Sequence, residues 1–163
     1  MKRFLLPLVV VAMLPFGAFA QNNASGNATV SARIISALSI VKNKDLDFGK
    51  VAQGVGAVAI ATTSPKAVKF TISGEPWEDI KITYTSPAKL QAGANQMPFT
   101  PDVKVDSTDV AAYSMAFALT SGESFFLNED GKAFVFLGGN INVAATQPRG
   151  SYTGTFAINV EYM

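Results

Sequence analysis

Gly150-Ser-Tyr-Thr-Gly-Thr-Phe-Ala-Ile-Asn-Val-Glu-Tyr162-Met163 closes the chain, and its reading decides the fold. Tyr152, Phe156, Ile158, Val160 and Tyr162 share one face with Gly154, while Ser151, Thr153, Thr155, Ala157, Asn159 and Glu161 share the other. The period is therefore 2, and the run predicts a strand with one buried face. The penultimate residue is aromatic, and Gly150 stands fourteenth from the end. A strand that runs to the last residue without a polar tail needs a holder, either the rest of the domain or a partner chain.

Upstream of it, Ile141, Val143 and Ala145 predict the penultimate strand, and Ala133-Phe-Val-Phe-Leu137 predicts one buried on both sides. Asn128-Glu-Asp-Gly131 is the strongest turn signal, read as a hairpin. Tyr113, Met115, Phe117 and Leu119 share a face of a strand over 111–119, and Val103-Lys-Val105 predicts a short edge pairing. Residues 86–101 hold three prolines and read as an irregular loop with at most one short edge strand. Ile80, Ile82 and Tyr84 alternate, as do Val68, Phe70 and Ile72, with Glu75-Pro-Trp-Glu-Asp79 as a hairpin-like connection between them. Residues 51–63 give a weak strand signal, and in Leu46-Asp-Phe-Gly49 the two apolar side chains point the same way. Ala28, Val30, Ala32, Ile34, Leu38 and Ile40 share a face of a run too long for one strand, which predicts an arm joined to a first domain strand near Ile34.

These segments amount to about eight or nine short strands with no helix of three turns, the pattern of an all-β antiparallel sandwich, immunoglobulin-like or pilin-like. A closed barrel is the structural alternative. Its transmembrane form needs strands of roughly 9–11 residues and aromatic girdles, which this pattern lacks.

The chain has 163 residues, enough for one domain. Lys2 and Arg3, the apolar run from Phe4 to Leu14 and the small residues of Gly17-Ala-Phe-Ala20 read as a cleaved signal peptide over 1–20. Residues 21–33 then form an N-terminal arm and residues 34–163 the sandwich domain. The apolar run is too short, and too broken by Pro7 and Pro15, for a bilayer-spanning segment. Without the signal the chain carries 11 basic and 12 acidic residues, so nothing marks it for nucleic acid. The signal implies export, to the periplasm in transit and then to the cell surface or beyond. There is no cysteine although that route permits disulfides, so stability has to come from packing, pairing or assembly.

Chemistry narrows in the same way. With no histidine and no cysteine the usual general base, thiol nucleophiles and most zinc or iron sites are absent, and no enzyme, cofactor or metal is expected. The acidic pairs Asp45 with Asp47, Glu75 with Asp79 and Glu129 with Asp130 fall in polar turns and read as solvated surface. Asn128–Gly131 lacks the ligand spacing of a calcium loop. The single tryptophan, Trp77, reads as core or cap before it reads as a ligand platform.

Four stretches in order, Ala28-Thr-Val-Ser-Ala-Arg-Ile-Ile35, Leu46-Asp-Phe-Gly49, Thr71-Ile-Ser-Gly-Glu-Pro76 and Leu137-Gly-Gly-Asn-Ile-Asn-Val-Ala-Ala through Tyr162, resemble a family of secreted bacterial domains catalogued as domain of unknown function 4402. More distantly, the arm, the Leu-x-Phe-Gly and the terminal Gly-x-Tyr strand resemble spore-coat-U-like and other chaperone-usher pilins. The resemblance implies an incomplete sandwich finished by the N-terminal arm of a neighbouring subunit. Ala28, Val30, Ala32 and Ile34 would then be the donor positions, and Gly150, Tyr152, Phe156, Ile158, Val160 and Tyr162 the strand flanking the receiving groove. It also implies identical subunits, a periplasmic chaperone and an outer-membrane usher as partners, in a fimbrial structure serving cell adhesion. The alternative is a monomeric periplasmic or cell-surface binding module with a complete sandwich, using Trp77 and the 86–101 segment. A hydrolase working through paired carboxylates is the remaining rival.

Overall fold

The computed structural model describes residues 24–109 and 116–163. The expected signal peptide, and residues 111–115 of the strand predicted over 111–119, lie outside the described residues. Ile34–Met163 form one compact unit. Residues 24–33, outside that unit, form no strand and are exposed.

Ten strands are described in chain order: β1 (Ser39–Lys42), β2 (Gly56–Ile60), β3 (Val68–Ser73), β4 (Asp79–Thr85), β5 (Lys89–Ala92), β6 (Asn95–Asp106), β7 (Phe117–Ala118), β8 (Glu123–Phe126), β9 (Lys132–Val143) and β10 (Ala157–Tyr162). One sheet runs β1-β3-β9-β6-β5, with β2 added to β9 and β7 to β6; the other runs β10-β4-β8. All pairings are antiparallel. Val68, Phe70, Ile72, Val103, Val105, Val135 and Leu137 of the first sheet pack on Ile80 and Ile82 of the second, which makes an all-β sandwich with its core between the sheets. A second cluster of Met97, Phe99, Ile141 and Val143 lies at the other end of the large sheet.

The structure corrects several local expectations. The run predicted over Ala133–Leu137 and the one from Ile141 are a single strand, because Gly138 does not break β9. A Cβ there would lie 2.3 Å from the carbonyl oxygen of Ile60, so the glycine lets β9 hand over from β3 to β2 on the same edge. Residues 86–101 are mostly a β5–β6 hairpin despite their prolines. Pro98 lies one residue beyond the last β6–β9 pair, Phe99 with Ile141. Pro101 has its missing donor on the edge away from β9, since the Phe99 N–H and the Val103 carbonyl both point there, in the gap between β5 and β7. Val103–Val105 therefore sits inside a long paired strand, not at an edge.

Glu75–Asp79 and Asn128–Gly131 have turn chemistry, but each carries the chain from one sheet to the other, so neither is a hairpin. Phe117 is exposed while Leu119 is buried, so the face predicted for 111–119 is not kept at its described end. Strand structure begins at Ser39, not near Ile34.

Gly138→Ala should lower stability by roughly 1–3 kcal/mol, the usual cost of forcing atoms into a filled position. Urea denaturation followed by circular dichroism checks it, and an unchanged midpoint would mean that β2 does not press on β9 as described.

Candidate functional site

A cleft of about 1010 Å³ opens between residues 42–51 and 150–156, floored by the core. One wall follows β1: Leu46 and Phe48 alternate with exposed Asp45, Asp47 and Gly49, so their side chains turn inward, as the spacing predicts. Phe48 meets Phe99 edge-on at 6.3 Å. The floor carries Val68, Phe70, Leu137, Phe99, Ile141 and Val143. On the opposite wall, Phe156 stacks on Tyr84 at 5.3 Å and lies 6.0 Å from Phe70, so one ring bridges the two sheets. The rim is polar: Lys42 pairs with Asp45, and Asp47 accepts the Gly49 N–H at 2.7 Å.

The terminal run, which supplies this second wall through residues 150–156, is paired in two parts. Around Thr153 it exchanges two backbone hydrogen bonds with Gln91 of β5, and from Ala157 it pairs with β4. Regular strand thus begins seven residues later than the alternation suggests, although Tyr152, Phe156, Ile158, Val160 and Tyr162 all turn inward and are half-buried. Gly154 passes close to β5, where a Cβ would lie 2.8 Å from the Leu90 side chain and 2.9 Å from the Pro87 ring, so a larger residue would have to displace them. The Met163 N–H donates to Asp79, so the backbone groups of Asn159 and Glu161 face β4 and those of Ile158, Val160 and Tyr162 face away. No strand among the described residues pairs with that outer edge.

Each end of the run is tied by a tyrosine. The Tyr152 hydroxyl donates to the Pro148 carbonyl at 2.8 Å and accepts from Gln147 Nε2 at 2.6 Å. The Tyr162 hydroxyl donates to the Ser36 carbonyl and accepts the Glu75 N–H, both at 2.7 Å. It reaches them because residue 74 is glycine; a Cβ there would stand 2.4 Å from the hydroxyl oxygen.

The structure therefore places Gly150, Tyr152 and Phe156 along the cleft wall, and Ile158, Val160 and Tyr162 beyond it on the inward face of β10. Ala28, Val30, Ala32 and Ile34 lie in exposed coil without a strand partner among the described residues, Val30 being 94% and Ile34 96% exposed. Sequence reasoning missed the facing wall, Leu46 and Phe48, whose alternation was legible but not its position, and the tying residues Ser36, Gly74 and Gln147, which carry no periodic signal. Trp77 is exposed, contrary to the core or cap reading.

Glu75 accepts from the Ser36 N–H and hydroxyl, and Asn128, beside Glu129 and Asp130, accepts the Asp130 and Lys132 N–H groups. Among the described residues no three His, Cys, Asp or Glu side chains gather as a metal site, and no helix is long and apolar enough to cross a membrane.

Comparison with known proteins gives one family, described as Domain of unknown function (DUF4402), which matches residues 38–162. No curated protein matches the chain. Among solved structures, the crystal structure of the P pilus rod subunit PapA is similar over 78% of this chain and 99% of that one, at 13% identity and a TM-score of 0.43.

Tyr162→Phe removes the hydrogen bond to the Ser36 carbonyl and the one from the Glu75 N–H, so a loss of about 1–3 kcal/mol is expected. Chemical denaturation should show it as a lower midpoint with an unchanged slope; equal midpoints would show that this tie carries no stability.

Proposed function

The chain belongs to the DUF4402 family, whose domain it spans over residues 38–162, and from that premise we propose that it is an exported, non-enzymatic structural subunit, pilin-like, that assembles by β-strand addition. The observation that carries this reading is the unpaired outer edge of β10, the strand that continues from the cleft wall at Phe156. Unpaired backbone groups next to exposed apolar side chains are the template for an added strand, since main-chain bonds supply affinity and alternate side chains fill the pockets. The occupant is the arm of a second copy, residues 24–34, with Ala28, Val30, Ala32 and Ile34 turned inward. Each Val or Ile buried there contributes roughly 1.5–3 kcal/mol, and the alanines less. Before assembly the same edge would be covered by a periplasmic chaperone and delivered to an outer-membrane usher. The sandwich core 34–163, the arm 21–33 and the cleaved segment 1–20 are the three parts that this scheme requires.

Size-exclusion chromatography with light scattering tests it on purified mature chain. Full-length protein should form ladders that survive mild denaturant, and Val30→Asp, which places a charge on the inserted face, should reduce them to monomer. A peptide of residues 24–34 should bind that monomer and raise its melting temperature, because a ligand of the native state alone stabilises it. Stable monomers from both chains, with no effect of peptide, would replace this reading with the monomeric binding module.

A further inference from the structure

Trp77 is 67% exposed and has a φ of 64°, in the left-handed region that a bulky side chain rarely adopts. The turn that holds it there is pinned on both sides. The Trp77 N–H donates to the Leu127 carbonyl at 3.1 Å and the Leu127 N–H to the Glu78 carbonyl at 3.0 Å, while the Gly74 N–H donates to Gly131 at 2.8 Å. A backbone strained in this manner around an exposed indole points to a use for the side chain outside the fold.

The same turn anchors the root of the arm. The Ser36 N–H and hydroxyl both donate to Glu75 Oε2, at 3.0 and 2.9 Å. The chain therefore leaves the sandwich, toward lower residue numbers, at the pole that carries Trp77. Ile34 is two residues from that anchor, and two residues span at most about 7 Å. Whatever body accepts Ile34 must come close to this pole.

We propose that Trp77 is the anchor of a second contact between subunits, in which the pole around Pro76 and Trp77 of the donor packs against the body of the copy that receives its arm. This rests on the strand-donation reading above and adds to it: the arm fills the groove, and Trp77 fixes how the two bodies sit on each other. A buried aromatic at the centre of a small contact is the residue type that carries most binding energy at interfaces.

Trp77 is the only tryptophan, so intrinsic fluorescence reports on it alone. Emission and iodide quenching are measured on assembled mature chain, on the Val30→Asp monomer, and on that monomer with the residue 24–34 peptide, which fills the groove without bringing a body to the pole. The expected result is a blue shift and a several-fold fall in quenching on assembly, with no change from peptide. Ladders in which Trp77 stays as quenchable as in the monomer would overturn the junction and leave strand donation standing. An equal shift from peptide alone would also overturn it, since Trp77 would then sense the groove. A blue shift of the monomer with neutral oligosaccharide, and none on assembly, would make the indole a sugar platform and overturn it too. If no ladders form, the function proposed above falls and this contact with it. Trp77→Gly, which suits the backbone angle, should leave the thermal midpoint of the Val30→Asp monomer unchanged or higher, yet shorten the ladders formed by chains with the native arm. Ladders of unchanged length would count against the contact.

Discussion

The pairing of β9 on both edges governs where the rest of the sandwich can go. β6 follows one edge from Asp106 to Phe99, and β3 and then β2 share the other. Ala133 to Gly139 are buried without interruption, so both faces of the strand are covered. Because Gly138 lets the chain pass from one neighbour to the next without ending, a single strand supplies Val135 and Leu137 to the first core and Ile141 and Val143 to the second. The floor of the cleft is continuous for that reason. Close packing then fixes the shape of that floor.

Above that floor, β10 departs from how sheet edges are usually protected. Edges are blunted by proline, by bulges or by charges that point inward. The outward row of β10 is Ala157, Asn159 and Glu161, and Glu161 is directed to Lys81 on the neighbouring strand at 3.4 Å. The inward row is Ile158, Val160 and Tyr162, half-buried against the core. Nothing on this edge repels a partner strand. A chain without cysteine has no covalent staple, so its stability rests on packing and pairing.

How much of this was legible follows from what periodicity encodes. The inward set of the terminal run was readable because alternation survives even where the regular ladder does not, from Tyr152 to Phe156. The change of partner from β5 to β4 was not, because it depends on β5, and the prolines near β5 masked it. Pro98 and Pro101 sit where no donor is needed, a matter of parity along β6 that requires its neighbours to be known. Glu75–Asp79 and Asn128–Gly131 were readable as turns and misread as hairpins, since turn residues fix a local bend and not which sheet receives the next strand. Trp77 was misjudged because composition speaks for burial, whereas the bonds of Leu127 on either side of it hold the backbone in a conformation that directs the indole outward.

The tie at Tyr162 joins the two ends of the domain. Its hydroxyl ends β10 and, through the Ser36 carbonyl, holds the segment that leads back to residues 24–33. On the strand-donation reading the receiving surface and the donated segment are different parts of one molecule, so the contact between copies would be heterologous and head to tail. On the strand-donation reading, a strand laid along Ile158–Tyr162 restrains the residue that restrains Ser36. Ordering the groove of one subunit therefore orders the base of the arm it offers to the next, and part of the entropy lost on insertion is already spent when the following contact forms.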